Sequence, residues 1–247
     1  MQSVGNTHIG KVRTENQDAM FFSDQPVGRL ENLYIIADGM GGHKAGGYAS
    51  SYTVDRFVSL IREDQSLDPI DMFIRALRQI EVEIMEKCKE KTFENMGTTL
   101  VAATIFDGNL YIMNIGDSRL YYFHDGIMKQ ITVDHSYVQE LVKAGEIDSV
   151  QMKHHPKKNL ITRAVGAGIK DVEPDFFQLK KEEGYLLLCT DGLTNMVDDD
   201  EIEKIIEDHS QLENKASLLV NRANEYGGKD NITVVLVKIE ERGENLC

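Results

Sequence analysis

Apolar residues recur at helical spacing in a few stretches of the chain, most clearly over 68–88, DPIDMFIRALRQIEVEIMEKC. Ile70, Phe73, Ile74, Leu77, Ile80, Ile84 and Cys88 fall on one helical face, Asp68 suits an N-cap, and Pro69 suits a first turn that needs no backbone N–H. The spacing predicts an amphipathic helix there and an earlier one over Gly46–Ile61. Two more are predicted over Asp200–Asp208 and Leu212–Tyr226, the last stopped by Gly227 and Gly228. Between the helices lie short runs rich in β-branched and aromatic residues: LYIIA, TTLVAATIF, LYIMNI, RLYYFH, MKQIT, YLLLC and ITVVLVKI. Tight connections at Phe106-Asp107-Gly108-Asn109 and His124-Asp125-Gly126 predict hairpins, hence antiparallel sheets covered by helices. No solenoid-type repeat is visible.

Four of the apolar runs begin or end on an aspartate: LYIIADGMGG at Asp38, YIMNIGDSR at Asp117, LLLCTDG at Asp191 and GGKDNITVVLV at Asp230. In an antiparallel sheet the start of one strand lies beside the end of its neighbour, so these acids can meet at one sheet edge. Asp-Gly is also a common turn pair, so Asp38 or Asp191 taken singly reads as a turn residue sooner than as a ligand. Converging carboxylates repel one another and are tolerated when a cation lies between them. An all-oxygen ligand set selects magnesium or manganese, whereas zinc prefers His and Cys at spacings this chain lacks. A pair of such ions can activate water and clamp a phosphoryl group for in-line displacement.

Composition narrows the partners. Lys plus Arg number 27 against 41 for Asp plus Glu, a net charge of −14. That excludes a general nucleic-acid binder, which needs a basic face. Cys88, Cys189 and Cys247 are odd in number and widely spaced, so they predict a reducing compartment and not a disulfide framework. The first residues show no secretory pattern and no apolar run is long enough to span a bilayer, so a cytoplasmic, soluble, monomeric protein is expected. No linker-like stretch divides residues 1–240, which read as one domain, and 241–247 read as a tail without function.

The segments RTENQD, ADGMGGHKAGGYAS, MGTTLV, NIGDSRLY, DHS, TRAVG, CTDGLTN and GGKDNITVV run in order from Arg13 to the final strand. They resemble the motif series of the metal-dependent Ser/Thr protein phosphatases of type 2C, in their bacterial form. The resemblance implies an α+β fold, a four-layer α-β-β-α sandwich of two packed antiparallel sheets, with Mn2+ or Mg2+ at one edge. It implies that Asp38 bridges two ions with the Gly39 carbonyl on the second, and that Asp191 and Asp230 complete the first. Asp18 is then an acid acting through intervening water, Asp117 a ligand of a third ion shared with Asp191, and Asn231 a group that orients Asp230. Arg13 matches the phosphate-binding arginine, and a planar guanidinium can hold two phosphoryl oxygens at once. The other reading of Arg13 is a surface salt bridge.

Two positions depart from the family pattern. The residue after the Asp38-Gly39 pair is Met40 where eukaryotic members carry a His, and the common Asn-Glu-Asp triplet is Asn16-Gln17-Asp18. His43 is the nearest histidine and reads either as a substrate-binding group beside the cleft or as a solvated loop residue. The stretch Glu146–Lys170, with KHHPKKNLITR, resembles the family's flap; its cations either draw in a phosphorylated acidic peptide or belong to a solvated loop. The implied activity is hydrolysis of phosphoserine and phosphothreonine monoesters by attack of activated water, opposing a Ser/Thr kinase and its substrates. A partner-switching phosphatase, a pseudophosphatase and a small-molecule phosphatase are the competing readings. A pseudophosphatase would be expected to lose one of the aspartates, and all are retained.

Overall fold

The computed structural model describes residues 1–42, 44–166 and 172–240. His43, the end of the 146–170 stretch and the 241–247 tail lie wholly or partly outside the described residues. The strands are β1 (Gln2–His8), β2 (Asp18–Ser23), β3 (Leu33–Met40), β4 (Gly97–Thr98), β5 (Leu100–Phe106), β6 (Asn109–Ile115), β7 (Arg119–His124), β8 (Ile127–Gln130), β9 (Asp175–Lys180), β10 (Gly184–Cys189) and β11 (Ile232–Ile239). The helices are α1 (Lys44–Glu63), α2 (Pro69–Lys87), α3 (Tyr137–Lys143), α4 (Ser149–His154), α5 (Asp191–Thr194), α6 (Asp199–Glu207) and α7 (Leu212–Glu225).

One sheet runs β1-β11-β10-β7-β8; the other runs β2-β3-β5-β6-β9, with β4 paired to β3, and every pairing is antiparallel. Alternation along the strands decides the layers. On β3, Leu33, Ile35 and Ala37 pack with Phe57 of α1 and Phe73 of α2, while Tyr34 and Ile36 face the other sheet. On β11, Val234 and Leu236 pack with Ile202 and Leu219 of α6 and α7, while Val235, Val237 and Ile239 meet Ile36 and Val101. The result is the expected α-β-β-α sandwich. Central strands buried on both faces read as continuous apolar runs, which is why they were legible without a period-two pattern.

Local chemistry sets the boundaries. Asp68 caps α2 by accepting from the Ile70 and Asp71 N–H groups at 2.8 and 3.2 Å, with Pro69 at the first position. The β5–β6 and β7–β8 hairpins close on Asp107-Gly108 and Asp125-Gly126, all four at positive φ, as a two-residue turn of type I′ requires. The TTLVAATIF run divides at Thr99, because Thr98 pairs with β3 in the short strand β4. The expected strand MKQIT ends at Gln130. Three strands and three helices were not anticipated. β1, β2 and β9 lie at sheet edges with mixed composition, and α3, α4 and α5 are each only a turn or two long. Among the described residues, no helix is long and apolar enough to cross a membrane.

Buried Asn32 ties the start of β3 to the end of β5: its amide accepts from the Ile105 N–H and donates to the Ile105 carbonyl, both at 2.8 Å. Asn32→Ala leaves both backbone groups unpaired in the interior. It is expected to lower stability by about 2–4 kcal/mol, seen as a lower denaturant midpoint at unchanged slope.

Candidate active site

The edge where the two sheets meet gathers the aspartates. Asp18 opens β2 and Asp38 lies near the end of β3, and the two are direct cross-strand partners. Like charges directly opposite on adjacent strands destabilise a sheet, so this pairing needs compensation. Asp18 Oδ2 receives it from the other sheet, accepting from Thr190 Oγ1 at 2.9 Å and Thr233 Oγ1 at 2.6 Å. Asp38 is held through its backbone: its N–H donates to Thr99 Oγ1 at 2.9 Å, and its carbonyl accepts from the Thr99 N–H and Thr98 Oγ1, both at 2.9 Å. Thr99 Oγ1 in turn lies 2.7 Å from Ser118 Oγ, beside Asp117 on the turn between β6 and β7.

Asp191 opens α5 and accepts at Oδ2 from Asn195 Nδ2 at 2.9 Å. Asp117 is 7 % exposed on a turn made possible by Gly116, whose φ is +103°. That turn is fixed by the buried ring of His135, whose Nδ1 accepts from the Gly116 N–H at 3.1 Å. An accepting Nδ1 leaves the ring proton on Nε2, which faces Asp175 Oδ2 at 3.1 Å. Asp230 stands just before β11, and Arg13 donates to its Oδ2 at 2.7 Å from a guanidinium that is half exposed.

Asn231 was expected to orient Asp230. Its backbone N–H does donate to Asp230 Oδ1 at 2.8 Å, but its buried side chain does something else. The amide accepts from the Gln17 N–H at 2.8 Å and donates to the Ile9 and Glu15 carbonyls, both at 2.9 Å. It therefore anchors the 9–17 loop that carries Arg13.

Neither Asp-Gly pair sits at a turn with positive φ. Both glycines serve close approach. A Cβ at Gly39 would lie 2.1 Å from the Gly46 carbonyl oxygen, and one at Gly192 would lie 1.8 Å from that of Asn231. The first glycine lets α1 pack against the end of β3, and the second lets α5 pack against the start of β11. Asp38 lies inside β3 and Asp191 inside α5, so neither occupies a β-turn.

The carboxyls act on one another. Asp38 is pushed well above the ordinary aspartate range by burial and then by Asp18, Asp191, Asp117 and Asp230. Asp18 is pushed up to about 7, first by burial, against the Thr233 and Thr190 hydrogen bonds, with Asp191 and Asp230 adding to the rise. Asp191 is pushed up to about 6 by burial and Asp230, eased by hydrogen bonding with Asp38 and by Arg119 and Arg13. Asp117 rises through burial and through Asp191 and Asp134. Arg13 holds its proton more firmly because of its bond to Asp230 and the field of Asp38 and Asp191.

One buried oxygen each of Asp18, Asp117 and Asp191 meets no N–H or hydroxyl donor. Buried acceptors without donors, mutual repulsion and an all-oxygen donor set fit hard divalent cations. Among the described residues, no three acidic, histidine or cysteine side chains close on one point. Magnesium-like ions need no such cage, since one or two carboxylates with water suffice.

The sequence profile described as protein phosphatase 2C matches residues 4–231. The chain belongs to the protein phosphatase 2C family. The serine/threonine phosphatase stp of Listeria innocua is 39% identical over 245 residues, covering 96% of each chain. The structure of the Streptococcus agalactiae serine/threonine phosphatase superposes with a TM-score of 0.90 at 36% identity, over 97% of this phosphatase and 99% of that one. The catalytic domain of the serine/threonine phosphatase PstP, crystallised with two manganese ions, superposes with a TM-score of 0.84 at 31% identity over 96% and 97% of the two chains. As a member of this family the chain is a phosphoric monoester hydrolase acting on phosphoserine and phosphothreonine.

The repulsion has a measurable sign. Folded-state carboxyls near 6 and 7 bind protons that the unfolded chain has lost above its ordinary range of about 4. With divalent ions chelated, stability is therefore expected to fall as pH rises from about 4 to about 7. Manganese should raise the melting temperature more at pH 8 than at pH 5.5, and Asp38→Asn should flatten both trends in a thermal-melting series.

Proposed function

We propose that this phosphatase strips phosphate from phosphoserine and phosphothreonine of proteins in its own cell, a cognate Ser/Thr kinase and that kinase's substrates among them. The observation that carries the reading is the placement of Arg13, held against Asp230 and within the field of Asp38 and Asp191. A cationic fork at the rim of a carboxylate cluster is the arrangement a phosphoryl group needs if ions occupy the cluster.

In this proposal Asp38 would contact both ions, the Gly39 carbonyl the second, and Asp191 and Asp230 the first. Asp18, gripped by Thr190 and Thr233, would act through water, and Asp117 with Asp191 would hold a third ion. When bound, manganese or magnesium supplies an acidified water and positive charge opposite the phosphoryl oxygens. Arg13 binds two of those oxygens and orients phosphorus toward the cluster, with its own loop fixed by Asn231. The excess of acid over the whole chain does not oppose this, because bound ions reverse the local field. Residues 1–240 serve as one catalytic domain acting as a monomer in the cytoplasm, consistent with free Cys88 and Cys189.

The test is phosphate release from a phosphothreonine peptide. Manganese-dependent turnover is expected, abolished by chelator and by Asp191→Ala, and lowered on the order of 100-fold in kcat/KM by Arg13→Ala at unchanged melting temperature. Turnover indifferent to chelator would overturn the metal assignment. Tight manganese binding without any turnover would move the protein to a phosphopeptide-binding role, and preference for small phosphate esters over the peptide would overturn the protein-substrate reading.

A further inference from the structure

Beside the acid cluster opens a cleft of about 650 Å3 whose walls include Asp117, Asp191, Asn195, Lys153, Lys158 and Asp198. Its lining comes from α3, α4 and the segment after it, and from β7, β8, α5 and the start of α6. Asn195, the C-cap of α5, uses both ends of its amide here. Nδ2 donates to Asp191 Oδ2 at 2.9 Å, and Oδ1 accepts from Lys158 Nζ at 3.2 Å. Its backbone N–H also donates to the Asp191 carbonyl at 2.8 Å. Reversing the amide would set its oxygen against a carboxylate and its NH2 against an ammonium, so both partners select one orientation. The nearby Lys153–Asp198 pair, at 2.9 Å, spans the same cleft between side chains 68% and 81% exposed. Such an exposed pair holds little. Lys158 is different, because it ends on a residue that touches the acid cluster.

We propose that Asn195 is a positioning residue for Asp191 and that Lys158 holds it in place. Seating of the 149–163 segment against α5 and the aim of the Asp191 carboxylate are then a single linked event. The inference rests on the reading of Asp191 as an ion-holding carboxylate, and it adds a connection from that carboxylate to a segment outside the cluster. Its consequence is mechanical. A substrate or partner that displaces the segment loosens Asp191 without touching it, and one that presses the segment down tightens the site.

The experiment compares wild type, Lys158→Ala, Asn195→Ala and the double variant in manganese, on a phosphothreonine peptide and on p-nitrophenyl phosphate. Asn195→Ala is expected to lower kcat about tenfold on both substrates with little change in KM and to raise the manganese concentration needed for half-saturation measured by calorimetry. Lys158→Ala should show a smaller loss of the same kind, largely restored in Lys158→Arg, and the double variant should be no worse than Asn195→Ala. Independently of turnover, trypsin should cut native Asn195→Ala within 149–163 about threefold or more faster than wild type. Additive losses would overturn the linkage, as would a Lys158→Ala effect confined to peptide KM, which marks a substrate contact. Unchanged tryptic cleavage would overturn the seating. A wild type without turnover would sink the phosphatase reading, while the cleavage comparison would still decide whether Asn195 fastens the segment.

Discussion

Several aspartates that repel one another are held together where two sheets meet, and much of the local architecture answers that repulsion. Asp18 and Asp38 face each other across adjacent strands, and Asp191, Asp117 and Asp230 all contribute to the field at Asp38. Four of the five are restrained by partners of their own. Thr190 and Thr233 grip Asp18, Thr98 and Thr99 fix the backbone of Asp38, Asn195 holds Asp191, and Arg13 meets Asp230. A carboxylate restrained in this way keeps its position even when the electrostatics would push it away, and it retains oxygens free for an ion.

The energy for this comes from elsewhere in the fold. Three apolar layers, one between the sheets and one beneath each helical face, bury the large side chains, and the acids occupy only the rim. Because β2 and β3 belong to one sheet and β10 and β11 to the other, the Asp18–Thr233 and Asp18–Thr190 bonds cross between layers. The site is thus assembled only when the sandwich closes. Gly39 and Gly192 belong to the same requirement, since a side chain at either would prevent a helix from reaching the strand end that carries an acid.

Charge is distributed to suit an anionic substrate despite the acidic whole. Arg13 stands at one rim, fixed through the Asn231 amide, while Lys153 and Lys158 line the neighbouring cleft from the segment beyond α3. The partly buried Arg119–Asp134 pair, with its shortest contact at 2.8 Å, lines the same cleft and adds Tyr121 at 2.9 Å to its bonds. These cations lie at walls and rims, so bound ions and side chains together set the field a phosphoryl group meets.

The main helices, the central strands, both hairpins and the positions of Asp38, Asp117, Asp191 and Asp230 near strand ends followed from the sequence alone, because they depend on local periodicity and turn chemistry. The ordered motifs likewise point to the family without reference to the fold. Edge strands β1, β2 and β9 were not legible: their pairing comes from a neighbour distant in the chain and not from their own alternation. Thr98, Thr99, Thr190, Thr233 and Asn195 all sit inside recognisable motifs, yet nothing in their spacing says which acid each one holds. Likewise, Asn231 follows Asp230 in sequence but spends its side chain on the Arg13 loop. Propensity and motif are properties of neighbouring residues and can be read along the chain, whereas a hydrogen bond between residues some 200 positions apart, as from Thr233 to Asp18, exists only once the two sheets have closed on each other.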